Sequence, residues 1–147
     1  MINWIIKKFD ELTVHELYAL LQLRNEVFAV EQNCVYPDMD NKDQPAFHLM
    51  GWQDGKLLAY TRLLPPGTAC AEPSIGRVVT SPAARGSGAG RALMQRSIDV
   101  SRRLFGPLPI KIGAQLYLHR FYSSLGFKQT SDVYLEYGIE HIEMLLA

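Results

Sequence analysis

Arg85-Gly86-Ser87-Gly88-Ala89-Gly90 follows a β-branched run, Val78-Val79-Thr80, and leads straight into a helical pattern. Strand, glycine turn and helix in that order describe a backbone built to cradle phosphates. Glycines there permit positive φ and close approach, so successive N–H groups can face outward at a helix N-terminus, where the dipole favours anions. A glycine string has commoner uses, and two nucleotide-binding patterns can be tested by spacing. A nucleoside-triphosphatase loop needs Lys-Ser or Lys-Thr after its last glycine, where this chain has Arg91-Ala92. A dinucleotide fingerprint needs its third glycine three residues after the second and an acidic residue about twenty further on. Neither condition is met.

Outward from the glycine turn, the sequence separates into elements. Residues 3 to 8 are Ile-rich and read as a strand. Thr13 and Glu16 form a capping box, and Leu17, Leu20, Leu21, Arg24, Val27 and Phe28 repeat at three and four, predicting one helix to about residue 30. Asn33 to Pro45 is turn-rich. Residues 47 to 53 and 56 to 63 are extended runs around Asp54-Gly55, a two-residue hairpin signal. A strand from Ile75 to Thr80 feeds the glycine turn. In the helix after it, Leu93, Met94, Ser97, Ile98, Ser101, Leu104 and Phe105 share a face up to Gly106-Pro107. Ile110 to Ile112 reads as a strand and 117 to 124 as a short helix stopped by Gly126. Segments 127 to 130 and 133 to 146 form a terminal antiparallel pair. A hairpin followed by strands joined across a helix implies a mixed sheet flanked by helices, an α/β layer structure.

The chain has 147 residues, 48% hydrophobic and 20% charged, with 15 basic and 15 acidic side chains. That suits one domain over residues 1–147 and argues against the basic field of a nucleic-acid or anionic-membrane binder. Cys34 and Cys70 show no metal or redox spacing, and no metal site is expected. The N-terminal charges follow the apolar run, the reverse of a signal peptide, and no apolar stretch approaches a membrane span, so a cytoplasmic protein is expected. The apolar terminal strand is compatible with a monomer or a homodimer.

Arg85, Gly88 and Gly90 match the Arg/Gln-x-x-Gly-x-Gly/Ala loop of the GNAT superfamily of N-acetyltransferases, with Pro82 three residues before the arginine. Phe121-Tyr122-Ser123-Ser124-Leu125-Gly126-Phe127 resembles that family's later motif, a tyrosine four residues before Gly-Phe. Leu23 to Gln32, then Cys34, Tyr36, Asp40, Asp43 and His48, together with Tyr137 to Met144, resemble its ElaA-type branch. The resemblance implies a GNAT-like α/β fold, a six- to seven-stranded mixed sheet splayed between its fourth and fifth strands, here 74 to 80 and 109 to 115. It also implies acetyl-CoA as cosubstrate, bound along Val78, Val79 and Thr80, with the pyrophosphate on Arg85, Gly86, Ser87, Gly88, Ala89, Gly90 and Arg91. Gln115 stands where the family often has an asparagine that bonds the cofactor arm.

The implied reaction is transfer of an acetyl group to a primary amine of a small molecule or peptide by direct attack in a ternary complex. Tyr122 occupies the position of the general acid, since a phenol is a sensible proton donor to a departing thiolate. For the base, Glu31 and His48 are preferred among the acidic groups of 31 to 48. Glu31, at the end of an apolar helix, is expected to be partly buried with a raised pKa, and His48 has the intrinsic pKa of a base. Asp38, Asp40 and Asp43 in the same segment, and His141 and Glu143 on one face of the last strand, follow behind. The competing reading is a non-catalytic acyl-CoA-binding sensor or interaction protein.

Overall fold

Alternation along β3 sets the architecture of the computed structural model, which describes residues 1–147. On β3 (Lys56–Leu64), Tyr60 packs with Leu20, Leu23 and Val27, while Thr61 bonds Ser97 on the opposite face. Successive side chains of a strand point to opposite sides, so one sheet separates two helical layers. Leu20 and Leu23 lie in α1 (Val14–Arg24), capped by the predicted box: Thr13 Oγ1 accepts from the Glu16 amide, and Glu16 Oε1 from the Thr13 amide. Residues Asn25–Glu31 continue the helix as a π-helical turn. The predicted single helix is therefore continuous but changes its winding before residue 30. Ser97 lies in α2 (Ala89–Phe105), donating to the Leu93 carbonyl and so accepting from Thr61. Leu104, predicted on the buried face of α2, is exposed.

The other strands are β1 (Asn3–Lys8), β2 (Phe47–Gln53), β4 (Ser74–Thr80), β5 (Ile110–Gln115), β6 (Lys128–Gln129), β7 (Tyr134–Glu136) and β8 (Ile139–Leu146), with α3 (His119–Ser123) between β5 and β6. They form one eight-stranded mixed sheet in the order β1-β2-β3-β4-β5-β8-β6, with β7 paired to β8 beside β6. The count exceeds the expected six to seven because 133 to 146 is not one strand. It folds back at Tyr137-Gly138, whose φ values of 53° and 77° are those of a two-residue hairpin, as at Asp54-Gly55.

Two irregularities open the sheet. β4 pairs antiparallel with β3, but Tyr60 faces Val79 and Arg62 faces Gly76, so Arg77 and Val78 together oppose Thr61. This is a β-bulge, and Arg77 takes a left-handed φ of 48° that a non-glycine residue holds only under constraint. On its other edge β4 runs parallel to β5 with a single register pair, Ser74 with Lys111. Beyond that pair the fourth and fifth strands part, as expected.

Under α2 and α3 the core includes Met94, Ile98, Ile112, Tyr122, Phe127, Ile142 and Met144; under α1 it includes Leu20, Val27, Met50, Tyr60 and Val79. No helix is long and apolar enough to cross a membrane.

Candidate active site

The parted strands border a cavity of about 710 Å³. Its walls come from the bulged half of β4, from β5, from the glycine turn with the start of α2, from α3, and from the β7–β8 hairpin. The predicted residues Val78, Val79, Thr80, Arg85, Gly86, Gly88, Ala89, Gly90, Arg91, Gln115 and Tyr122 all line it. Ser87 lies in the same turn, its hydroxyl donating to the Ala84 carbonyl.

At the glycine turn the backbone presents donors. Gly86 and Gly88 adopt φ of 79° and 81°, which only glycine holds without strain, and Gly88 is the N-cap of α2. The amides of Gly86, Ser87 and Gly88 donate to no carbonyl, and the first helical bond is from the Ala92 amide to the Gly88 carbonyl at 3.1 Å. Ala89, Gly90 and Arg91 form the first turn and have no preceding turn to bond. Six consecutive N–H groups without a backbone acceptor thus lie at the positive end of a 17-residue helix. Arg91 adds a guanidinium, held by Ser124 Oγ at 2.7 Å and lying over the Phe121 ring.

Tyr122 is 4% exposed, its ring packed edge-on against Phe121 and Phe127. Its hydroxyl makes no hydrogen bond within the chain although it borders the cavity. Burial, reinforced by the neighbouring Tyr117, raises its pKa, so the phenol is kept protonated.

Across the cavity mouth two bridges run from the end of the π-helical turn. Arg85 grips both oxygens of Glu31, the Nη2–Oε1 contact being 2.7 Å, and the amides of Gln32 and Gln115 bond each other at 3.2 Å. Glu31 therefore corrects its sequence reading: its side chain is 42% exposed, and the Arg85 fork holds its carboxyl below the usual range instead of burial raising it. His48 is corrected too. It is fully buried outside the cavity, Nδ1 bonded to the Tyr60 hydroxyl at 2.6 Å and Nε2 to the Asp43 carbonyl at 2.9 Å, and burial lowers its pKa. A sealed imidazole has no path to a substrate proton.

The aspartates have a structural occupation. Asp38, Asp40 and Asp43 interlock with Arg24, Arg62 and Arg77: Arg24 Nη1 donates to Asp43 at 2.8 Å, Arg24 Nε to Asp38 at 2.7 Å, and Arg62 to both Asp40 oxygens at 2.8 and 2.9 Å. Arg77 closes the lattice, Nε 2.8 Å from Asp38 Oδ1. Burial pushes the Asp43 and Asp40 carboxyls up, but the arginines outweigh it, and Asp40 is held at about 2. The lattice pins the 33–46 loop to the bulge of β4. Arg24, wholly buried, lies in the apolar stripe of the helix, and the three aspartates spaced through the 33–46 loop are the sequence signal for its partners.

Glu136, Tyr137 and His141 line the hairpin side of the cavity, with Tyr36 stacked on Tyr137 at 4.9 Å; His141 is among the base candidates of the last strand, whereas no sequence signal singles out Glu136. Glu143, opposite Gly113, shares the His141 face of β8 but does not line the cavity.

A sheet split beside a bulged strand, with a donor-lined helix N-terminus at the split, defines an acyltransferase of the GNAT class. The family model described as an acetyltransferase (GNAT) domain matches residues 14–147, and the chain belongs to that family. It is 42% identical to protein ElaA of Escherichia coli, over 98% of this chain and 95% of that one, and 44% identical to a UPF0039 protein of Synechocystis over 98% and 94%. Among solved structures, an acyl-CoA N-acyltransferase from Pseudomonas aeruginosa superposes with a TM-score of 0.96 at 47% identity, covering all of both chains. The crystal structure of Escherichia coli ElaA does so with 0.94 at 41%, again over both whole chains.

Proposed function

We propose that this protein is an N-acetyltransferase that moves an acetyl group from acetyl-CoA to a primary amine of a small molecule or peptide, by direct attack while both substrates are bound. The observation that carries the reading is the run of free amides from Gly86 to Arg91, all but Ser87 in residues that line the same cavity as Tyr122 with its unbonded hydroxyl. The residues fit the cosubstrate's chemistry. A diphosphate matches N–H donors at a helix N-terminus, and Arg91 adds charge. Amide groups of an extended arm match the edge of β4 from Val78 to Thr80, which β5 does not cover, with Gln115 on the facing strand. When bound, the thioester supplies an activated acyl carbon.

The chain's residues do the rest. Backbone N–H at Val79 or an adjacent position polarises the carbonyl; donors preset where negative charge develops need no reorganisation during reaction. Tyr122, held protonated by its apolar surroundings, donates its proton to the departing sulfur. The apolar walls exclude water that would compete with the amine. The sensor reading draws no specific support, since a binding protein has no need of an unbonded, buried phenol beside the gap.

Calorimetry with acetyl-CoA tests the reading. Wild type is expected to bind, and Gly88→Val, which forces a β-branched side chain into φ of 81°, is expected to lose binding. Tyr122→Phe should bind normally and transfer about 100-fold more slowly. Absence of heat with folded wild type would overturn the proposal, and an unimpaired Tyr122→Phe would overturn the acid assignment.

A further inference from the structure

Three carboxylates line the cavity: Glu31, Asp38 and Glu136. Arg85 neutralises Glu31, and Arg24 with Arg77 neutralises Asp38. Glu136 has no arginine or lysine within 4 Å; its only ionic neighbour is His141, the one histidine on the cavity wall, with Nε2 3.6 Å from Glu136 Oε2.

Geometry fixes what each atom can do. In the β7–β8 hairpin Glu136 faces Ile139 and Tyr134 faces His141, so all four side chains share one side of the ribbon. Tyr134 stacks on the imidazole at 6.0 Å and holds its plane, and its hydroxyl lies over Gly113, where an added Cβ would come within 3.2 Å. His141 Nδ1 is 2.7 Å from the Ile139 carbonyl. A carbonyl only accepts, so Nδ1 carries the hydrogen and the neutral ring's lone pair is on Nε2. That lone pair and the Glu136 carboxylate are two acceptors facing each other beyond hydrogen-bond reach. Such a pair suits a cationic donor, and the stacked Tyr36 and Tyr137 rings that line the same cavity favour the same charge.

We propose that Glu136 and His141 form the receiving site for the acceptor, a primary amine that arrives as an ammonium ion with no carboxylate next to it. The proposal rests on the acetyltransferase reading and names its base. Glu136 holds the ammonium; His141 Nε2 takes one of its protons. The freed nitrogen lone pair forms the carbon–nitrogen bond as the carbon–sulfur bond breaks, its electrons leaving on sulfur. Tyr122 protonates that sulfur and is reprotonated by the second nitrogen proton, while the imidazolium returns its proton to solvent. The products are an amide, a free thiol and one proton. A carboxylate beside the amine would face Glu136 and be repelled.

Tyramine and tyrosine, which differ by that carboxylate, are the probes. With the protein saturated with coenzyme A, tyramine is expected to shift the His141 imidazole resonances saturably, these being identified by their loss in His141→Gln. Tyrosine, and tyramine with Glu136→Gln, should each bind at least ten-fold more weakly. With acetyl-CoA, His141→Gln should lower kcat about 100-fold while the tyramine KM stays within about three-fold. Unmoved His141 resonances, equal affinity in Glu136→Gln, or wild-type turnover by His141→Gln would each overturn the proposal. Both variants should bind acetyl-CoA as wild type does. Failure of wild type itself to bind it would instead bring down the thioester reading and this proposal with it. Should His141→Gln fail to fold, Glu136→Gln, at a half-exposed side chain, carries the test through the tyramine affinity, and affinity equal to wild type still overturns the proposal.

Discussion

His48 shows how one buried side chain trades reactivity for stability. Its ring is neutral because burial disfavours the imidazolium, whereas in the unfolded chain it protonates below about pH 6.5. The unfolded state then binds more protons, so stability must fall as pH drops through that region. Asp40 and Asp43 act in the same direction lower down. Their folded pKa values are depressed, so their contribution is present above about pH 4 and is lost as pH falls toward about 2 for Asp40. Urea unfolding followed from pH 7 to pH 3 is therefore expected to show two stages of loss. In His48→Gln the upper stage should vanish and the lower one remain; persistence of the upper stage would mean that another group is responsible. Composition marks His48 only as a histidine. Its role depends on Tyr60 and the Asp43 carbonyl, brought to it by strand pairing and by the arginine–aspartate lattice.

Among the elements, α3, only five residues long, holds Tyr122, the proposed acid. It ends because Gly126 turns at φ of 101°, letting the Phe127 amide bond the Tyr122 carbonyl at 3.2 Å and directing the Tyr122 ring into the core. A Cβ at 126 would approach Leu146 Cδ1 to 3.0 Å as well as straining the backbone. Gly126→Ala is thus expected to destabilise the fold by about 1–3 kcal/mol in urea titrations. It should also slow transfer more than it weakens acetyl-CoA binding, because the glycine turn before α2 is untouched. Elements of this kind were legible from their punctuation: Thr13 with Glu16, Asp54-Gly55, Gly126 and the Gly86–Gly90 turn each impose a local geometry. Tyr137-Gly138 carried the same kind of signal as Asp54-Gly55, but its flanks are short, and the hairpin it makes is anchored by pairing with β8 instead of by its own periodicity.

Over the whole molecule, the open gap between β4 and β5 couples binding to stability. Ligand that occupies only the folded state stabilises it by mass action, by about 2.7 kcal/mol at a hundred times Kd. For a domain of this length that is a rise in Tm of about 5–10 °C. Scanning calorimetry with acetyl-CoA should show it, and Gly88→Val should not respond; a wild-type Tm that stays fixed would contradict the cavity's assignment. The bridges from Glu31 to Arg85 and from Gln32 to Gln115 belong to this level too, since they join segments far apart in the chain across one opening.

Local sequence alone was enough for the strand–turn–helix unit with its glycine turn, and for the order of strands and helices up to the last segment, where one expected strand is the β7–β8 hairpin. These rest on φ preference, capping and periodicity, which act between near neighbours. The tertiary structure alone decided which polar groups meet: that Arg24 is buried among aspartates, that Arg85 silences Glu31, that His48 is sealed, and that Glu136 and His141 face the cavity. Such pairings depend on distances between segments remote in the chain, and a carboxylate's chemistry follows from the charge that folding sets beside it.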